Sequence, residues 1–338
     1  MKMSDARVIG YGAVIGLLSA VAVGGDLNPP AGPVGSTMKD LVEVEPRRAI
    51  NATNTPGDSN SVYRIAVSGS YYLTGHVTGV AGSSGIEIQA DDVTIDLNGF
   101  TVRGVPGSLD GITMRDTPTT FGDRHRLTVR NGIVRDWEGG HGIELNGNYQ
   151  RVENVVAINN GTGGILVRLY SRVSNCTASG NTLTGISAAD YCVIENCIAD
   201  GNTGSGIVSG LGSFDDEGGT IVNCSATNNG FLGIAVGAGA TVSGCSASRN
   251  TNDGIVTTSG SVIDGCNADH NGGDGIVADS GCTIVHCAAD NNTGDGIAVV
   301  MDCSVLDCTA NANGEHGIEV DERCVIRGNT CTRNVNGG

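Results

Sequence analysis

Large rings are scarce in this sequence. Aromatic residues fill 4% of its 338 positions, and there is one Trp. Cores usually lean on such rings, so this one must be built from aliphatic, β-branched and small side chains. Proline also runs out. All seven lie at or before Pro118, and 220 residues follow without one, so every backbone N–H over that length can feed a sheet. Basic residues are few, 19 Lys plus Arg against 36 Asp plus Glu, for a net charge of −17. That excludes nucleic acid as the main partner, because phosphate binding rests on a basic surface. The shortage is local. Nine Arg fall between Arg103 and Arg172, whereas residues 173–322 hold only Arg249 against 19 acids. The acidic half attracts cations and repels anionic polymers. Walker, Rossmann, G-x-S-x-G and H-E-x-x-H patterns are absent as well.

Long apolar runs are limited to one. Lys2 and Arg7 lead into residues 8–23, and Ala20-Val21-Ala22 is a small-residue cleavage site. The run is short and interrupted by Gly for a bilayer span. Residues 1–22 therefore read as a signal peptide, with an uncleaved anchor as the alternative. This predicts a secreted, cell-surface or periplasmic protein with no membrane span once the signal is removed. Residues 23–62 form an N-terminal approach segment, with a short capped helix expected over 37–43. Apolar and polar residues then alternate around Gly69, from Tyr63 to Leu73, as strands do.

What is plentiful is Gly, at 54, and it is periodic. Gly-Ile recurs at Gly85, Gly111, Gly142, Gly164, Gly185, Gly206, Gly233, Gly254, Gly275, Gly296 and Gly317, most often 21 residues apart. A fixed period of this size means a solenoid. The L-x-x-L-x-L pattern of leucine-rich repeats and the 3.6 periodicity of helical repeats are both missing. Aligned repeats expose further columns. One is aliphatic (Val173, Ile194, Val242, Ile263, Ile284, Val305 and Ile326). One is Cys176, Cys197, Cys224, Cys245, Cys266, Cys287 and Cys308, and another is Ala two residues later. The last is Asn: Asn159, Asn181, Asn202, Asn229, Asn250, Asn271, Asn292, Asn313 and Asn334. Three short strands per repeat, each stacked on its counterpart, predict an all-β, right-handed parallel β-helix of about eleven coils over residues 63–338. Asn tolerates the left-handed backbone of a tight corner, and stacked amides can hydrogen-bond along the axis. Extra residues, such as Phe214-Asp215-Asp216-Glu217, are expected to leave one face as loops.

The repeats resemble the parallel β-helix repeat of the pectin lyase-like superfamily. The leader Gly69-Ser70-Tyr71-Tyr72-Leu73-Thr74-Gly75 and the segment Asp92-Val93-Thr94-Ile95-Asp96-Leu97-Asn98-Gly99 are similar to secreted bacterial right-handed β-helix proteins. The resemblance covers roughly Tyr63 to the end. It implies the fold and an extended-polymer partner, and it leaves the activity open among lyases, hydrolases, epimerases, tailspikes and proteins without catalysis. Gly140-His141-Gly142-Ile143 is similar to the G-H-G motif of polygalacturonases, but N-T-D and R-I-K do not accompany it. The D-P-H motif of alginate epimerases is absent.

Three groups carry candidate chemistry. Stacked Cys at ~4.8 Å are too far apart for disulfides, so the seven-residue column reads as buried thiols. A second column, Cys192, Cys282, Cys303 and Cys324, keeps open a bridge to Cys197, Cys287 or Cys308. Asp253, Asp274 and Asp295 precede Gly-Ile in successive coils. Carboxylates so stacked either hold calcium or each cap their own turn. Finally, Arg124, His125, Arg126, Arg130, Arg135, Asp136, Trp137, Glu138 and His141 crowd one coil. Among them Arg130, Arg135, Asp136, Trp137 and His141 are the ligand-binding candidates, a combination suited to sugars. A loop-rich cap is the plainer account. No complete catalytic set can be assembled. The expected function is an extracellular protein that binds polysaccharide or cell-surface glycan without catalysis. A polysaccharide lyase, hydrolase or epimerase and a structural spike or adhesin are the alternatives. An uncapped C-terminal coil offers an edge through which copies could associate.

Overall fold

The computed structural model describes residues 45–114, 126–211 and 217–337. The leader, the helix expected over 37–43, Arg124, His125 and Phe214–Asp216 lie outside them. Among the described residues every regular element is a strand, and no helix is long and apolar enough to cross a membrane.

The strands wind into a parallel β-solenoid. Among the described residues, one sheet takes a single strand per coil, twelve in all, from Ser61–Ile65 to Ile318–Glu322. A second, folded sheet takes two strands per coil and has twenty-three. Like residues stack on like across the coils. Ile143 pairs with Ile165, Ile165 with Ile186 and Ile186 with Ile207. Ala178 likewise pairs with Ala199, and Ala199 with Ala226. The solenoid has about 13 turns rather than eleven. Counting Gly-Ile pairs missed the first coils, which carry Val62-Tyr63 and Arg48–Ile50 in the same ladders. Among the described residues parallel pairing thus begins at Arg48, ahead of the expected boundary at Tyr63.

The interior is aliphatic, thiol and amide stacks. The Ile following each Gly, from Ile86 to Ile297, is almost wholly buried. All twelve Cys are free thiols, so no bridge joins the two Cys columns. The main Cys column does more than fill space. The Cys224 backbone N–H points at Cys245 Sγ (3.4 Å), and the Cys266 N–H at Cys287 Sγ (3.4 Å). At the last coil Asn329 takes the position and accepts from the Cys308 N–H at 2.8 Å.

The Asn column is shifted by one residue in its first coil. The ladder member is Asn160, whose Nδ2 donates to Asn181 Oδ1 at 2.9 Å. Asn159 sits beside it with a left-handed backbone (φ 54). The same division holds above. The left-handed corner residue is the one before each ladder Asn, as Gly180, Asn228, His270 and Asn291 are. The ladder amides therefore earn their place by hydrogen bonding, not by tolerating a corner. From Asn181 to Asn313 each donates Nδ2 to the next Asn and to an Ala carbonyl of the preceding coil, as Asn250 does to Asn271 Oδ1 (3.0 Å) and Ala226 O (3.1 Å). Every buried amide group is thereby paired.

Candidate functional site

The residues that crowd one coil in sequence are dispersed by the winding of the chain. Strand Thr128–Arg135 runs through two sides of the solenoid, bending at Asn131 (φ 60). Arg130 lies before the bend, with Nη2 3.2 Å from Asp96 Oδ2 and a buried Nε that has no partner. Arg126 pairs with Asp92 at another corner. Trp137 is in the core, 0% exposed, with its indole N–H donating to Val102 O at 3.1 Å. It has no face to offer a ligand, which corrects its reading as a sugar-binding residue. Its backbone N–H donates to Asn160 Oδ1, so the indole occupies the column that ladder Asn fill in later coils.

Arg135 and Asp136 do meet at the surface. Asp136 takes the left-handed corner (φ 62) and accepts from both Arg135 Nε (3.0 Å) and Arg103 Nε (2.9 Å). Glu138 follows, with Oε2 accepting from the Gly107 N–H at 3.0 Å. Together with Val105, Pro106 and Asn159 these side chains line an open cleft of ≈ 370 Å³. Its rim alternates guanidinium donors with carboxylate and amide acceptors on a backbone fixed by the sheet.

His141 is on a different side, at the entrance to the twelve-stranded sheet. Its Nδ1 is 3.9 Å from Asp110 Oδ1 and 3.8 Å from Glu144 Oε2. Burial, and then the charge of Glu144, push the Asp110 carboxyl above its usual range, against the His141 N–H that it accepts. The acidic column has a backbone task. Asp253 Oδ1 accepts from the Asp274 N–H (2.9 Å), Asp274 Oδ1 from the Asp295 N–H (2.7 Å), and Asp295 Oδ1 from the His316 N–H (2.7 Å). Each carboxylate caps the next coil rather than its own turn.

One feature went unread in the sequence. Tyr149, Tyr170 and Tyr191 stack along a corner with ring centroids 5.2 and 5.4 Å apart, each about half exposed. All three have left-handed backbones, where the equivalent later residues are Gly239, Gly260 and Gly281. The spacing of 21 residues was the available signal.

A family model described as the right-handed β-helix region matches residues 84–239 and 208–334. The chain belongs to the right-handed β-helix family. No curated protein matches it. Among solved structures, this β-helix is similar to the A-module of mannuronan C-5 epimerase AlgE4 from Azotobacter vinelandii. That match has 15% identity over 80% of this chain and 91% of that one, with a TM-score of 0.63. It is similar to the periplasmic alginate epimerase AlgG, at 12% identity over 83% and 81% of the two chains, TM-score 0.52. It is also similar to the Dettilon tailspike protein, at 15% identity over 80% and 60%, TM-score 0.50. At these identities the likeness establishes the shared β-helix and nothing about the chemistry on it.

Proposed function

We propose that this β-helix works outside the cytoplasm as a glycan-binding protein and holds its ligand without cleaving it. The observation that carries this reading is the cleft at Arg103, Arg135, Asp136, Glu138 and Asn159. Sugar hydroxyls both donate and accept, and recognising them takes polar groups of both kinds held in a fixed arrangement. Asp136 holds the two guanidiniums side by side, leaving their remaining N–H groups to meet a ligand. The leader at residues 1–22 and the periplasmic setting named for the similar alginate epimerase AlgG support a site outside the cytoplasm. The test is a glycan array followed by calorimetry on the best ligand. Arg135→Ala and Arg103→Ala are expected to weaken binding about tenfold, the worth of one charge-assisted hydrogen bond. Absence of binding to any polysaccharide, or binding that both variants leave unchanged, would end the proposal. Depolymerisation or epimerisation of the bound glycan would replace it with an enzyme.

A further inference from the structure

His-Gly-Ile-Glu occurs twice, at His141–Glu144 and His316–Glu319. Both copies sit at the same place in the coil and share the same surroundings. One coil earlier, the position beneath the His is Asp, as Asp110 and as Asp295. In each case that carboxylate accepts the His backbone N–H, at 2.8 and 2.7 Å. One coil later the position is Gly, as Gly163 and as Gly337. A Cβ at Gly163 would lie 2.9 Å from His141 Cδ2, so this glycine leaves the imidazole its room. The Glu projects outward from the following strand, beside the inward Ile. Other coils place Ser84, Thr184, Ser205 or Leu232 in the column, so the order Asp, His, Gly with an outward Glu is not a demand of the fold.

We infer that the chain carries two equivalent divalent-metal sites, Asp110–His141–Glu144 and Asp295–His316–Glu319, built for an ion of the zinc and cobalt class. In each set one imidazole nitrogen and two carboxylate oxygens lie within 4.8 Å of one another. Metal–ligand bonds of ~2.0–2.2 Å bring ligand atoms to roughly 3–3.6 Å from each other. The second set falls within that range and the first lies a few tenths of an ångström outside it. His316 Nδ1 is 3.1 Å from Asp295 Oδ1, while the corresponding pair in the first set is 3.9 Å apart. Small side-chain movements close either one. An imidazole among only three protein ligands suits a transition ion with open positions, whereas calcium takes six to eight oxygens. Among the described residues no Lys or Arg forms an ion pair with any of the four carboxylates.

The test is Co²⁺ titrated into the full chain, followed by visible absorption and by metal content after dialysis. Two Co²⁺ per chain are expected. His141→Ala and His316→Ala should each retain one, and the double variant none at a concentration that saturates the unaltered protein. Glu144→Gln and Glu319→Gln should each weaken one site at least tenfold with circular dichroism unchanged, which keeps the reading testable if a His variant folds poorly. Calcium in hundredfold excess should not displace Co²⁺. Unchanged stoichiometry in the double variant, no Co²⁺ retained at millimolar concentration, a thiolate charge-transfer band, or displacement by calcium would each overturn the inference.

Discussion

Asn202 Nδ2 donates to Asn229 Oδ1 at 3.0 Å, although the two are 27 residues apart rather than 21. The six extra residues leave the ladder as it is in its neighbours, where Asn181 reaches Asn202 at 2.8 Å and Asn229 reaches Asn250 at 3.0 Å. The solenoid keeps its amide spine across the longer coil. Asn250→Ala should break this spine in both directions. The Asn229 N–H and Nδ2 lose their acceptor, while Ala226 O and Asn271 Oδ1 lose a donor. Stranding buried polar groups costs about 1–3 kcal/mol each, partly relieved by relaxation. The expected loss is about 3 kcal/mol in urea unfolding. A loss below ~1 kcal/mol would show that the ladder is ornamental.

The fold was legible because its columns are chemical. Ile, Cys, Ala and Asn repeat at a common period, and each has one physical place in the coil. Asn159 and Asn160 show where the reading slips: adjacent Asn serve as corner and as ladder, and sequence alone does not say which is which. The candidate patch was legible only in part. Neighbours in sequence point to opposite faces of a strand and to different sides of the coil, so Arg130, Arg135, Trp137 and His141 end in four environments. The Asp–His–Glu sets are legible in retrospect as columns, since Asp and His are 31 or 21 residues apart in sequence and one coil apart in space, with Glu three residues after each His.

The thiols give a second prediction. Ten of the twelve Cys are buried, and only Cys324 and Cys331 are partly exposed. A thiol reagent should label about two per folded chain quickly, and all twelve after unfolding. Burial pushes the Cys192 thiol up to about 11 from an ordinary value of 9.0. An acid whose folded pKa is raised binds its proton more tightly when folded. Its contribution to stability is therefore complete below pH 9 and is lost as pH climbs through 11. About 2–3 kcal/mol should disappear across that window, and Cys192→Ala should flatten that part of the stability curve. A slope unchanged by the substitution would assign the alkaline loss elsewhere.

The tyrosine corner sets strain against stacking. Tyr170 stacks on both neighbours while holding φ 57, a conformation that costs a non-Gly residue roughly 1–2 kcal/mol. Tyr170→Gly loses two ring contacts of about 0.5–1.5 kcal/mol each but relieves the backbone. It should destabilise by about 1 kcal/mol or less. Tyr170→Val loses the same contacts and leaves a β-branched residue in the left-handed region, so it should cost about 2–3 kcal/mol. Equal losses for the two variants would mean that the corner is unstrained.

Trp137 closes the lower end of the amide spine, and its fluorescence reports on the core. The indole lies against glycines of neighbouring coils. A Cβ added at Gly79 or at Gly85 would be 2.8 Å from the ring. Its N–H is satisfied by Val102 O, so the ring can stay dry without stranding a donor. Emission should be blue-shifted and insensitive to acrylamide in the folded protein. Trp137→Ala should cost about 3–5 kcal/mol, because the glycine-lined space cannot collapse to fill the void. Trp137→Asn continues the ladder chemically but leaves most of that void, so it should recover no more than about 1 kcal/mol of the loss. Because the ring is buried beside the cleft and does not line it, a glycan bound at Arg103 and Arg135 should leave the emission maximum in place. A large shift on binding would mean that the ligand opens the solenoid at this coil, which a rigid binding rim does not allow.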